Sequence, residues 1–374
     1  MRHLVVLLCV ALSGLAQQRR VVTDAMVREV QNSAILIDTH NDVTSRTVDG
    51  FDIGKRASDG HTDIPRLREG GVGAVFFAAY VAADYAKDKT AAHRALEMID
   101  TVRTDIAARY PDTFSFATSA AEIEAAHRQG KIAALIGIEG GHAIEDDPRL
   151  LRDFYALGVR YMTLTHTNTN NWADSSGDLR DRAVKRHNGL TSQGKQIVAE
   201  MNRLGMMVDI SHVSGKTFYD ALEASKAPLI ASHSSCRALS GVPRNMTDEM
   251  IVALAKRGGV IHINFNCEFL SEKTAESERN KPERTRGTNV LPATLSDVVD
   301  HIDHVVKLAG LSAVGIGSDF DGIKCTPRGL EDVSKFPNLT RALLEHGYSP
   351  DDIRKIYGGN TLRVMRAVEH ARAQ

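Results

Sequence analysis

The sequence predicts an α/β fold, a (β/α)8 TIM-like barrel built as a single domain. Two patterns carry this reading. Eight short apolar runs alternate with segments of helical periodicity, and most of those runs end on, or just before, a polar residue able to do chemistry. Alternating strands and helices imply parallel βαβ units. A chain of 374 residues is long for one domain but ordinary for a large barrel. The composition, 43% apolar and 25% charged, is that of a water-soluble globular chain. With 46 basic against 47 acidic residues and a single Trp, nothing favours nucleic acid or an anionic membrane surface as a partner.

In chain order, residues 1–16 stand apart. Arg2 and His3 precede an apolar run over 4–12, and small residues follow at Gly14 and Ala16. That is the pattern of a secretory signal peptide, too short to span a bilayer. Residues 1–16 are therefore expected to be removed, leaving the barrel domain at 17–374. Cys9 lacks the small neighbours of a lipid-attachment site, and the C-terminal end carries no apolar anchor pattern. The expected product is exported, periplasmic or secreted, and soluble. Three cysteines would remain, Cys236, Cys267 and Cys325, so at least one thiol is left over. Cys236 and Cys267 form a candidate disulfide that spacing alone does not establish.

A helix is expected near 22–31. Strands follow at 35–40, 73–80, 132–139, 159–166, 206–212, 228–233, 259–265 and 313–319. Between them, Ala95, Leu96, Ile99, Val102 and Ile106 recur at helical spacing within 91–109, and 190–204 and 295–311 read the same way. The charged segment 271–288 is expected to be a solvated loop or a short helical excursion after the seventh strand.

The functional signal lies in the strand ends. The first strand runs into His40 and Asp42, the third into Glu139, the fourth into His166, the fifth into His212, the sixth into His233 and the eighth into Asp319. In a parallel barrel these ends face one mouth, so residues remote in sequence converge there. Among 15 histidines any single one is more readily a core or surface residue; the series is what points to a site. His40, Asp42, Glu139, His212 and His233 supply three imidazoles and two carboxylates. That is more than one ion needs, and suits two ions bridged by Glu139. Water between two such ions loses a proton near neutral pH and becomes a nucleophile. Imidazole and carboxylate donors suit two Zn2+, with Mn2+ or Co2+ also compatible.

Asp319 beside that water is the candidate proton acceptor and donor, with Asp321 its competitor or a turn cap. His166 is a candidate oxyanion stabiliser or a further ligand. Arg244, shortly after the sixth strand, is a candidate for a substrate carboxylate. Asn168, Asn170, Asn171 and Asp174 form a polar loop, and His142 reads as a loop histidine.

In this order the motifs resemble the membrane dipeptidase family. The matching segments are Asp38-Thr39-His40-Asn41-Asp42, Gly137-Ile138-Glu139-Gly140-Gly141, Leu164-Thr165-His166, Asp209-Ile210-Ser211-His212, Ser232-His233-Ser234-Ser235, Arg244-Asn245 and Asp319-Phe320-Asp321-Gly322. The likeness runs from roughly residue 33 to the C-terminal end. It implies a barrel with two zinc ions bridged at Glu139, one held by His40 and Asp42, the other by His212 and His233. It further implies His166 at the substrate carbonyl, Arg244 on the dipeptide carboxylate and Asp319 on the proton. The implied reaction is dipeptide hydrolysis, often tolerant of a D-residue at the C-terminal position, with β-lactam opening in some members. Phe269, where some relatives carry a substrate-contacting tyrosine, and the charged 271–288 segment depart from the family pattern. The expected partners are small dipeptides, with a homodimer as an open possibility and no nucleic acid. Competing readings are another dinuclear amidohydrolase of lactonase or deaminase type, or a catalytically silent barrel. A carboxylated lysine often bridges the metals in the former, whereas here a glutamate, not a lysine, stands at the strand end.

Overall fold

The computed structural model describes residues 21–372; the expected signal peptide at 1–16 lies outside them. Nine strands form one sheet: β1 Leu36–Asn41, β2 Val72–Tyr80, β3 Phe114–Phe116, β4 Ile132–Glu139, β5 Val159–Thr163, β6 Met207–Asp209, β7 Ile230–Ser234, β8 Val260–Ile263 and β9 Val314–Ile316. Eight of them follow the order β1-β2-β4-β5-β6-β7-β8-β9, every neighbour parallel. β3 pairs with β4 alone, off this path, and was not foreseen. The ends of the path meet: Asp42 N donates to Phe320 O at 2.8 Å and Asp319 N to His40 O at 3.0 Å. The Asp38 carboxylate also accepts from Ser318 N at 2.8 Å and Ser318 Oγ at 2.6 Å. The result is the expected (β/α)8 barrel, nearly closed.

The strands are buried on both faces, as parallel barrel strands must be. Alternate residues sort cleanly. Leu36, Val75, Phe77, Ala134, Ile136 and Met162 pack in the cluster shared with the helices. Ile37, Ala74, Phe76, Ala133, Leu135 and Tyr161 form a second cluster, continued by Leu362, Met365 and Val368 of the helix Asn360–Ala371. On β4 the second series continues through Gly137 to Glu139. A side chain on Gly137 would lie 1.9 Å from the Tyr161 ring, so the missing Cβ makes room for that phenol inside the barrel.

Helices start where short polar side chains can accept a free N–H. Thr23, Ser119, Thr191, Ser214 and Thr247 each do so. The helix expected at 22–31 is Asp24–Ser33, that at 190–204 is Ser192–Leu204, and that at 295–311 is Leu295–Ala309. The helix expected over 91–109 is α-helical for Ala91–Asp100, then continues in wider i→i+5 turns over Thr101–Ala108. The charged segment holds the helix Glu272–Arg279 and the turn Glu283–Thr285, a helical excursion.

The disulfide pairing differs from expectation. Cys267 bonds to Cys325, their Cα atoms 5.6 Å apart, and Cys236 is a buried free thiol. Cys267 sits in the short helix Cys267–Leu270 that follows β8, Cys325 in the loop that follows β9, so the bond ties two neighbouring loops at the barrel mouth. Cys236 N instead donates to Nδ1 of the buried His301 at 3.0 Å. Among the described residues no helix is long and apolar enough to cross a membrane.

Two predictions follow from this packing. The Cys267–Cys325 bond closes a sequence separation of 58 residues, for which chain entropy gives a stabilisation of about 4 kcal/mol. Cys325→Ser should lower the denaturant midpoint accordingly, and an unchanged midpoint would contradict that pairing. Buried His262 bonds Ala231 O at 2.9 Å and Thr361 Oγ1 at 3.0 Å, and burial pushes it down to about 4. It stays neutral in the fold while the unfolded chain protonates it below about pH 6.5, so its contribution is complete above that pH and declines on acidification. The stability gap between the native protein and His262→Gln should shrink by about 3 kcal/mol between about pH 7 and pH 4, measured by urea unfolding; a pH-independent gap would contradict this.

Candidate metal centre

The barrel brings His40, Asp42, Glu139, His212, His233 and Asp319 together, with His166 and Arg244 at the edge. They line or underlie a cavity of about 390 Å3 whose wall includes Tyr80, Asn266, Phe269 and Ile323. His40 is the penultimate residue of β1, and Asp42 precedes the short helix Val43–Thr47. Glu139 ends β4, His233 lies in β7, and His212 and Asp319 lie just past β6 and β9.

The Glu139 carboxylate divides this set. Its Oε2 lies 3.5 Å from His40 Nε2, which is 3.4 Å from Asp42 Oδ2. Its Oε1 lies 3.0 Å from His212 Nε2 and 3.1 Å from His233 Nε2. His166 Nε2 is further from the same oxygen, at 3.7 Å. The two groups His40, Asp42, Glu139 and Glu139, His166, His212 each present donor atoms within 4.8 Å of one another, as do His40, His233 and Asp319. His40 Nε2 and Asp42 Oδ2 are buried with no hydrogen-bond partner. Two facing, buried, unpartnered lone-pair atoms are costly unless a cation lies between them. His212 Nε2 and His233 Nε2 also face each other, at 3.0 Å. The residues therefore fit a divalent ion on each side of Glu139.

Burial opposes charge on His40, but Tyr161, Glu139 and Asp42 around it raise it well above the ordinary imidazole value, which marks that side as a place for positive charge. Burial opposes charge on Glu139, but His40 and His166 beside it hold it well below the usual carboxylate range. Burial pushes His212 and His233 well below the ordinary imidazole value, reinforced by Arg244 and His40 respectively. They are thus bare nitrogen donors at neutral pH. Burial, then Asp42 alongside, raises Asp319 to about 7, and Asn264 Nδ2 donates to its Oδ2 at 2.7 Å. Burial also lowers Arg244 to about 10. Its Nη1 donates to Ser234 Oγ and its Nη2 to His233 O, both at 2.8 Å, while its Nε finds no partner.

Other candidates settle elsewhere. His142 is a histidine of the turn Gly141–Ile144 after β4, buried there and bonded to Val81 O at 2.9 Å. Asn170 and Asp174 organise their own loop: Asn170 accepts from Trp172 N and Ala173 N, Asp174 from His187 N and Gly189 N. Asn171 pairs with Asp146. The sequence reading missed Tyr80, whose ring meets His166 edge-on with centroids 4.8 Å apart, and Asn264. Tyr80 ends an apolar strand, as Glu139 does, but a tyrosine there carries no distinctive signal. Asn264 lies one residue past β8, where only its position was a clue.

Comparison with known proteins narrows the reading. The family described as membrane dipeptidase, peptidase family M19, matches residues 24–374. The chain belongs to this family. A similar protein is dipeptidase verJ of Clonostachys rogersoniana, 41% identical over 89% of this chain and 84% of that one. An uncharacterised dipeptidase, C965.12, of Schizosaccharomyces pombe is 37% identical over 95% and 84% of the two chains. Among solved structures, a metallopeptidase from Rhodobacter sphaeroides liganded with a phosphinate mimic of the dipeptide L-Ala-D-Ala superposes with a TM-score of 0.78. It is 28% identical, over 90% of this chain and all of that one (100%). Membership of the membrane dipeptidase family makes this chain a metallo-dipeptidase, as its ordered motifs had suggested.

Because Glu139 faces both groups and Asp42 only one, their conservative variants should separate. After dialysis against metal-free buffer, Asp42→Asn is expected to retain about half the divalent metal of the native protein, and Glu139→Gln almost none. Elemental analysis measures this; Glu139→Gln retaining a full complement would remove the bridge.

Proposed function

We propose that this member of the family is an exported dipeptidase that works with two zinc ions and accepts a D-residue at the C-terminal position of its substrate. One observation carries the dinuclear reading: a single buried carboxylate, Glu139, turns one oxygen to His40 and Asp42 and the other to His212 and His233. Imidazole-rich donors favour zinc, with manganese or cobalt as substitutes. The L-Ala-D-Ala mimic bound by the Rhodobacter sphaeroides relative supports the D-residue. Export is supported by the N-terminal pattern at 1–16 and by the Cys267–Cys325 disulfide, since such bonds persist in oxidising compartments.

The ions would supply Lewis acidity and an acidified water at neutral pH. The remaining work falls to the chain. Arg244, with its guanidinium fixed by Ser234 and His233, is placed to take the dipeptide's free carboxylate. This fixes the peptide bond over Glu139. Asp319, beside the ligand groups and steadied by Asn264, takes a proton from the attacking water as the C–O bond forms. It returns that proton to the leaving nitrogen as the C–N bond breaks. His166, bare on its Nδ1 side except for Thr167 Oγ1 at 3.3 Å, can direct an N–H towards the oxyanion that develops on the substrate.

The test is a dipeptide panel, including Xaa-D-Ala, with and without chelator. Hydrolysis restored by Zn2+ is expected, and hydrolysis that survives complete metal removal would overturn the metal reading. Asp319→Asn should keep its metal and lose about 10^2–10^4 in kcat; native turnover would move the proton elsewhere. Arg244→Ala should raise KM for free dipeptides while leaving C-terminally amidated ones unaffected, and an equal effect on both would break the carboxylate assignment.

A further inference from the structure

Two histidines of the centre are held from behind by hydroxyl groups. His40 Nδ1 lies 2.8 Å from Tyr161 Oη, and Tyr161 Oη lies 3.0 Å from Thr39 O, to which it donates. A phenol has one proton. With that proton on a carbonyl, its oxygen can only accept, so the Nδ1–H belongs to His40. Nε2, the atom that faces Asp42 and Glu139, is then the nitrogen left to ligate. Tyr161 cannot swing away: its ring is fully buried, tilted against Phe76 at 5.3 Å, and fills the space that Gly137 leaves.

His233 is held in the same manner but with a different terminus. Its Nδ1 lies 2.7 Å from Ser232 Oγ, which lies 2.6 Å from Asp209 Oδ2 and donates to it. The reverse arrangement would set the serine lone pairs against a carboxylate oxygen. Asp209 is itself fixed by Thr163 Oγ1 at 2.5 Å, Ser211 N at 3.0 Å and Ser232 N at 2.8 Å. The serine therefore accepts from His233 Nδ1–H and again leaves Nε2 bare.

We propose that Tyr161 and Ser232 are positioning residues, each fixing the tautomer of one metal-facing histidine, and that the two relays differ in strength because the His233 relay ends on a carboxylate and the His40 relay on a peptide carbonyl. A carboxylate at the end of such a relay raises the donor strength of the ligating nitrogen. The Ser232–Asp209 relay therefore strengthens its histidine more than Tyr161 strengthens His40, and each relay acts on its own side. This inference rests on the two-ion reading above.

The experiment titrates chelator-stripped protein with Zn2+ against a chromophoric competitor. Native protein should show two steps of unequal affinity, and Asp42→Asn identifies the step that belongs to the His40 side. Tyr161→Phe should weaken that step by about ten- to hundred-fold and leave the other intact. Ser232→Ala should do the converse, and Asp209→Asn, of nearly the same shape, should shift the same step as Ser232→Ala. Thermal unfolding of the metal-free variants checks that each is folded. Native protein that takes up no zinc overturns the metal reading itself. Two native steps that neither Tyr161→Phe nor Ser232→Ala shifts, or that both variants loosen alike, overturn the relays and leave that reading standing.

Discussion

The structure depends on one buried carboxylate that must be shared. Glu139 sits at the end of β4 with an oxygen towards each ligand group, and Asp42 and Asp319 lie beside it. Three acidic groups in one low-dielectric pocket repel one another, and the raised value of Asp319 records that repulsion together with burial. Arg244 is the cation that lines the same cavity, and its guanidinium is already tied to Ser234 and His233. Such an arrangement is stable only with positive charge between the carboxylates. Bound divalent metal would meet that need, and in the proposed reaction would also make the site reactive.

The barrel holds this concentration of charge through backbone constraint at the strand ends. His212, Asp319 and Asp321 all adopt positive φ, 67°, 63° and 66°, a region that non-glycine residues enter at a cost of order 1 kcal/mol or more. The neighbouring loop clamps the first of them: Ser176 N and both the Ser175 and Ser176 hydroxyls bond to His212 O. Asp319 is clamped by its own N–H on His40 O, across the seam where β1 meets β9. Closing the barrel and aiming the carboxylate are thus one act. The Asp38–Ser318 bonds serve both, which accounts for a buried acid in the middle of an apolar strand.

Much of this was legible in the sequence because the barrel puts chemistry at strand ends. An apolar run that stops at His40, Glu139, His166, His212, His233 or Asp319 shows both the strand and the site in one signal. What was not legible has physical causes. β3 is three residues long and pairs on one side only, so it leaves no run to detect. Cys267 and Cys325 meet because the loops after β8 and β9 are neighbours in space, which spacing along the chain does not encode. Asp38, Asp209, Tyr161 and Ser232 lie inside strands and were read as part of the apolar frame or of a motif. Their partners are on other strands, and only the register of the closed sheet brings each hydroxyl behind its histidine.

The same geometry favours one of the two aspartates of the loop after β9 as the proton carrier of the proposed reaction. They are two residues apart, both at positive φ, and sequence alone leaves either free to carry the proton. Asp321 lines the same cavity, but its Oδ1 is taken: it accepts from His61 N at 2.9 Å and from Arg46 Nη1 at 3.3 Å, and the residue's own N–H goes to His61 Nδ1 at 2.9 Å. Its bonds anchor the loop to the segment after β1. Asp319 has one protein donor, Asn264, and Asp42 for a neighbour. Gly322 explains how two carboxylates come so close, since a side chain there would lie 2.3 Å from Asp42 Oδ2 and 2.6 Å from Asp319 Oδ1. A carboxylate committed to an arginine and a main-chain N–H is a poor proton carrier, because each transfer would break those bonds. The one left beside the ligand groups, with its proton affinity lifted towards neutrality, is suited to that work, and Asp321 and Gly322 keep it in place.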